Sequence, residues 1–206
     1  MSFFPTKNSR SALQRTAAGA LQRTAAALQR YNPAMRLFFG LQLDQQTCLD
    51  IDHWVTKSLP PMTHPVPLVN FHITLAFLGN VDHGRLEQLC MSADDIRSPR
   101  FELTLNEPGF WNKPGILWLG TTEMPPPLLT LSKKLKNLAN QMGFSAEKGS
   151  YQPHVTIARR CKLPPPAAIE APCFPAAFDH FTLYESVTTR SGIRYQAINN
   201  WSLEWE

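Results

Sequence analysis

Phe71-His72-Ile73-Thr74-Leu75-Ala76 and Pro153-His154-Val155-Thr156-Ile157-Ala158 carry, from each histidine onward, the same run of side-chain types: His, apolar, Thr, apolar, Ala. In the first copy Phe71, Ile73, Leu75 and Phe77 are apolar at every second position, which is the period of a strand. On a strand, alternation sets His and Thr on one face and their apolar partners on the other. The imidazole and the hydroxyl then stand about 7 Å apart along that face. Each copy therefore offers a proton-transfer group beside a hydrogen-bond donor. At this composition roughly 0.08 matches to such a four-residue pattern arise by chance, so two copies point to one shared site.

Outward from these strands, Leu37–Leu43 reads as a buried strand, and Asp44 as the N-cap of a helix over Gln45–Ser58 that Pro60-Pro61 end. Residues 60–67 form a proline-rich loop. The spacing predicts a helix over 84–97, then strands at Phe101–Leu105 and Ile116–Leu119. Leu128, Leu131, Leu135, Leu138 and Met142 recur at helical spacing, and Gly143 follows as a natural C-cap. Strands are predicted at His154–Ala158, Phe181–Val187 and Ile193–Trp205, the last two joined by the hairpin signal Thr189-Arg190-Ser191-Gly192. Strands separated here by helices and there by turns favour an α+β fold with antiparallel sheets.

Residues 1–34 differ from the rest. Ala12-Leu13-Gln14-Arg15-Thr16-Ala17-Ala18 recurs at residues 20–26, and Ala27-Leu28-Gln29-Arg30 begins a third copy. The stretch reads as a low-complexity extension outside a domain of residues 35–206, with an Arg-rich transit segment as the competing reading. The net charge is +4 over 206 residues, but six of the 20 basic residues precede the first acidic residue, Asp44. The body is thus no broad polyanion-binding surface, and a nucleic acid would be gripped at an end or over a short stretch. No apolar run is long enough to span a bilayer. The four cysteines show no paired spacing and read as reduced thiols in a cytoplasmic protein, expected to be monomeric and away from membranes.

Paired imidazoles suit the opening of a cyclic phosphodiester, which needs an attacking water deprotonated and a departing oxygen protonated. Two groups titrating near neutrality can hold one neutral and one protonated form together. Thr74 and Thr156 would orient the phosphate and stabilise its developing charge. No metal or cofactor is expected: His53, His64, His83 and His180 are scattered, and no HExxH, P-loop, GxGxxG or GxSxG pattern occurs. Arg159 and Arg160 are candidates for pairing with phosphate. Strand parity places Arg160 on the His154 face, although a bulge would reverse the two. Phe39, Trp111, Trp118 and Tyr195 are candidates either for stacking on a base or for the core.

His72-Ile73-Thr74-Leu75 and His154-Val155-Thr156-Ile157 resemble the two HxTx motifs of the two-histidine phosphoesterase superfamily. Together with Arg36-Leu37-Phe38-Phe39-Gly40 and Phe181-Thr182-Leu183-Tyr184, they make residues 35–206 similar to the bacterial and archaeal RNA 2′,3′-cyclic phosphodiesterases, also called the 2′–5′ RNA ligase family. The resemblance implies a pseudo-symmetric two-lobed α+β fold, with antiparallel sheets flanking a cleft and helices outside. It implies hydrolysis of RNA 3′ ends, or short oligonucleotides, bearing a 2′,3′-cyclic phosphate to 2′-phosphomonoesters. His72 would be the proton donor, His154 the acceptor, and Arg159 the arginine of an HxTxxR pattern. A related 2′–5′ or cyclic-nucleotide substrate, and a silent RNA-binding module, are the alternatives.

Overall fold

The computed structural model describes residues 34–144, 149–190 and 192–204. The repeats of residues 1–33 lie outside these described residues. Nine strands run as β1 (Met35–Gln42), β2 (His72–Val81), β3 (Phe101–Leu105), β4 (Glu107–Trp111), β5 (Ile116–Gly120), β6 (His154–Ala158), β7 (Phe174–Phe178), β8 (His180–Thr189) and β9 (Gly192–Ser202). Among the described residues three α-helices join these strands: α1 (Gln45–Ser58), α2 (Leu86–Ala93) and α3 (Pro126–Gln141). The main sheet has the order β4-β5-β6-β2-β1-β8-β9, antiparallel throughout, and β3 pairs with β7 in a small second sheet. None of the described helices is long and apolar enough to cross a membrane.

The two lobes implied by the resemblance are the two halves of this sheet, β4-β5-β6 and β2-β1-β8-β9. They meet at one residue pair, Ile73 opposite Val155. Beyond that pair the proline loop takes over the edge of β6: the Val66 amide donates to the Ile157 carbonyl at 2.8 Å and the Arg159 amide to the His64 carbonyl at 3.0 Å. The core lies on the face carrying Leu37, Phe39, Leu41, Ile73, Leu75, Leu117, Leu119, Val155 and Ile157, all at most 3% exposed. Helix α3 sets Leu128, Leu131 and Leu135 into it and docks onto β2 by donating the Ser132 hydroxyl to the Leu75 carbonyl.

Local chemistry explains most element ends. Asp44 caps α1 by accepting from the Thr47 amide and hydroxyl at 2.9 and 2.5 Å, as its sequence position predicts. Gly143 takes φ +75°, the left-handed turn that closes α3. The helix expected over 84–97 is shorter, a 3₁₀ turn at His83–Arg85 followed by α2. It stops at Asp94, whose carboxylate instead accepts from the Trp201 indole at 2.7 Å. Two strands went unpredicted, β4 and β7, because Pro108 and Pro175 argue against strands. β4 tolerates its proline as the outermost strand of the main sheet. None of the four cysteines is in a disulfide.

Candidate active site

With Ile73 opposite Val155 in an antiparallel pair, His72 falls across from Thr156 and Thr74 across from His154. Ile73 and Val155 are fully buried, so the four polar side chains share the opposite face, where all are half-buried. The arrangement is a local two-fold: each histidine faces the threonine of the other motif. At ordinary strand spacings the two histidine Cα atoms lie diagonally, about 7–8 Å apart.

Both imidazoles are bonded alike. His72 Nδ1 lies 2.7 Å from the Asn70 carbonyl, and His154 Nδ1 lies 2.9 Å from the Gln152 carbonyl. A carbonyl only accepts, so in each ring Nδ1 carries the hydrogen and Nε2 is left with its lone pair. His72 Nε2 is 3.1 Å from the Thr74 hydroxyl, which donates to it. The sequence names the histidines and threonines; it carries no signal for Asn70 and Gln152, because any residue two before the histidine supplies a carbonyl. Asn70 also pins β9: its amide donates to the Ile193 carbonyl at 2.8 Å and accepts from the Tyr195 amide at 3.3 Å.

The surroundings differ. His72 is walled by Phe38 (4.9 Å between centroids), Tyr195 (4.7 Å, edge-on) and Tyr184 (6.0 Å), with Phe38 and Tyr184 stacked on each other. Gly40 lies beneath Phe38 and Tyr184: a Cβ there would just touch both rings, at 3.4 Å, and would press on the Ile73 carbonyl at 3.1 Å. His154 is walled by Trp111 (4.6 Å, edge-on) and Trp118 (6.3 Å). Gly109 and Gly120 bracket the Trp118 ring so closely that a Cβ would come within 2.0 and 2.8 Å of it. Of the aromatic candidates, Trp111, Trp118 and Tyr195 thus flank the imidazoles. Phe39 does not: it is fully buried in the core against Phe181 and Trp201. Its neighbour Phe38, together with Tyr184, flanks His72 without having been among those candidates.

Burial among these rings pushes the His72 pKa down to about 4, assisted by the positive charge of Arg159 and by His154, while the bond to the Asn70 carbonyl opposes the shift. His154 is lowered too, by burial first and then by Arg159, against the bond to the Gln152 carbonyl. Arg159 is therefore electrostatically felt by both imidazoles. Parity counting had put Arg160 on this face, and the bulge foreseen as its exception is present. Trp118 pairs with Thr156 while the adjacent Leu117 pairs with Ala158, so Ile157 is the extra residue. β6 ends at Ala158, and Arg160 beyond it takes a left-handed backbone at φ +56°, so strand parity no longer applies to it.

Paired HxTx strands on an antiparallel sheet, with two imidazoles and two hydroxyls on one face, make this the candidate site of a two-histidine phosphoesterase. The chain belongs to the 2′-5′ RNA ligase superfamily, whose family model matches residues 43–189. Among its relatives, the RNA 2′,3′-cyclic phosphodiesterase of Escherichia coli (strain K12) is 34% identical over 173 residues, covering 82% of this chain and 96% of that one. The protein of the same name from Thermotoga maritima is 32% identical over 141 residues, 63% of this chain and 73% of its own. The crystal structure of E. coli LigT complexed with 3′-AMP matches with a TM-score of 0.77 and 34% identity, covering 82% of this chain and 98% of that one.

Proposed function

We propose that this chain hydrolyses 2′,3′-cyclic phosphate ends of RNA to 2′-phosphomonoesters. The observation that carries the proposal is the shared tautomer: both rings spend Nδ1–H on a main-chain carbonyl and keep Nε2 for the reaction. His154 Nε2 accepts a proton from water, and the water oxygen bonds to phosphorus. The P–O3′ bond breaks, and His72 Nε2–H gives its proton to the departing O3′. The product keeps its phosphate on O2′, and the two rings exchange protons with solvent before the next turn.

His72 must be protonated to act, yet its burial favours the neutral ring. The anionic phosphate supplies the missing term, because a negative charge placed against Nε2 raises the imidazole pKa. Acid function thus arises only with substrate in place. Thr74 and Thr156 hydroxyls and the Arg159 guanidinium hold the non-bridging oxygens and stabilise the charge that develops there. The names of the relatives support RNA cyclic ends as the substrate class. The cytoplasm and a monomeric state complete the reading.

The test is incubation of a short RNA ending in a 2′,3′-cyclic phosphate, in EDTA, with wild type and with His72→Ala and His154→Ala. Wild type should give the 2′-phosphate, separable from the 3′-phosphate by chromatography, and both variants should lose turnover. A folded wild-type protein that leaves this RNA intact would overturn the proposal.

A further inference from the structure

Two cavities touch the imidazoles, and the local two-fold relates them: one adjoins the residues leading into His72, the other those leading into His154. The first, about 360 Å³, is lined by Gln42, Gln45, Asn70, Tyr184 and Tyr195, with no lysine, arginine or carboxylate in its wall. The second, about 330 Å³, is lined by Thr74, Trp111, Ser150, Gln152 and His154, and by Lys136 of α3. That volume has room for about ten waters.

Lys136 differs from its neighbours on the helix. Lys133 and Lys134 are exposed, and Lys134 caps the Arg97 carbonyl at 2.6 Å. Lys136 is half-buried, its ammonium 4.9 Å above the Tyr151 ring. The Tyr151 hydroxyl donates to the Thr74 carbonyl at 3.1 Å, so the ammonium is anchored to the first motif's strand. No carboxylate lines the cavity among the described residues, and none forms an ion pair with Lys136 there. A cation held in a cavity beside hydroxyl and amide groups, with no acid among the described residues of its wall, is a setting for an anionic ligand.

We propose that the cavity beside His154 is a second anion subsite, in which Lys136 holds a phosphate of the substrate strand one linkage removed from the reacting phosphorus. This rests on the proposed function, since it assumes a nucleotide at the two histidines. The group has two sources: the phosphate on the 5′ side of the terminal nucleoside, or one borne by a strand joined through a 2′–5′ linkage.

Equilibrium binding separates these without relying on turnover. Adenosine 2′-monophosphate is compared with adenosine 2′,5′-bisphosphate, and 2′–5′-linked adenylyl adenosine with the same dinucleotide carrying a 3′-terminal phosphate. Wild type should prefer the doubly phosphorylated member of one pair, and the pair that shows the preference identifies the source. Lys136→Gln should reduce that preference about tenfold, and Lys136→Arg should retain it. A preference missing in wild type, or surviving in Lys136→Gln, overturns the subsite. If the subsite binding holds while cyclic ends are not hydrolysed, the catalytic proposal alone has failed.

Discussion

The strand bearing His72 and the strand bearing His154 spell nearly the same residues and tie their imidazoles to main-chain carbonyls in the same way, yet their neighbourhoods are unlike. His72 sits among Phe38, Tyr184 and Tyr195, beside a cavity without formal charge. His154 lies against Trp111 with Trp118 behind it, beside a cavity that holds Lys136, on a strand that ends next to Arg159. A symmetric pair of bases would not know which to protonate. Environment divides the work, as it does wherever two like groups serve as acid and base. On the proposed mechanism the more deeply enclosed ring takes its proton only when an anion arrives, while the other receives one.

That comparison breaks first, if it breaks, at the histidines. His72→Ala and His154→Ala should each lower kcat/KM on a cyclic-ended RNA by roughly 10²–10⁴. The double variant should fall little below the worse single one, because the two act as a unit; additive losses in steady-state kinetics would mean two independent roles. Next comes the arginine. Arg159→Ala should cost about a hundredfold and Arg160→Ala no more than about twofold under the same conditions. Equal losses would return the parity assignment that the bulge at Ile157 removes.

Proton linkage sharpens the contrast. Unfolded, His72 titrates near 6.5; folded, it titrates near 4. Between those values the unfolded chain binds a proton that the folded chain does not, so stability rises with pH across the window. The contribution, on the order of 3 kcal/mol, is complete above pH 6.5 and gone below about pH 4. Urea titrations at stepped pH should show this slope flattened in His72→Gln. His154→Gln should act in the same direction but less, and a larger effect there would reverse the ranking of the two rings.

The smallest effects concern the glycines that seat each aromatic wall. Gly109→Ala drives a methyl into the Trp118 ring and should cost about 1–3 kcal/mol in chemical denaturation. Gly40→Ala meets its neighbours at 3.1 Å and beyond and should cost less. If Gly40→Ala proves the more disruptive, the wall around His72 is the stiffer of the two.

Much of this was legible in the sequence. Alternation around Ile73 and Val155 gives both strands and the face they share, and Asp44, Pro60 and Gly143 mark the helix ends. Pairing was not legible, because hydrogen bonding between β2 and β6 leaves no local trace: nothing near His72 says that Thr156 faces it. The bulge at Ile157 is likewise a property of two strands together, and it favours Arg159 over Arg160 for the candidate site. Phe38 and Phe39 are indistinguishable by composition, and only the irregular register of β1 on β2 tells which ring reaches the site. Lys136 is no different in sequence from Lys133 and Lys134, and only the Tyr151 ring beneath its ammonium sets it apart.

The order of strands in the sheet has a consequence for how this protein can be taken apart. β4, β5 and β6 occupy residues 107–158, between β2 and β8, so the half that carries His154 is a guest threaded into the half that carries His72. The host is itself discontinuous, its strands drawn from both ends of the domain. No single cut in the chain yields two fragments that each own a complete half. A nick in the exposed stretch around Leu163 would separate β1–β6 from β7–β9, leaving the fragments still laced together by the ladder between β1 and β8. The tool for dividing the two catalytic halves is therefore circular permutation rather than truncation, with new ends opened on either side of the guest.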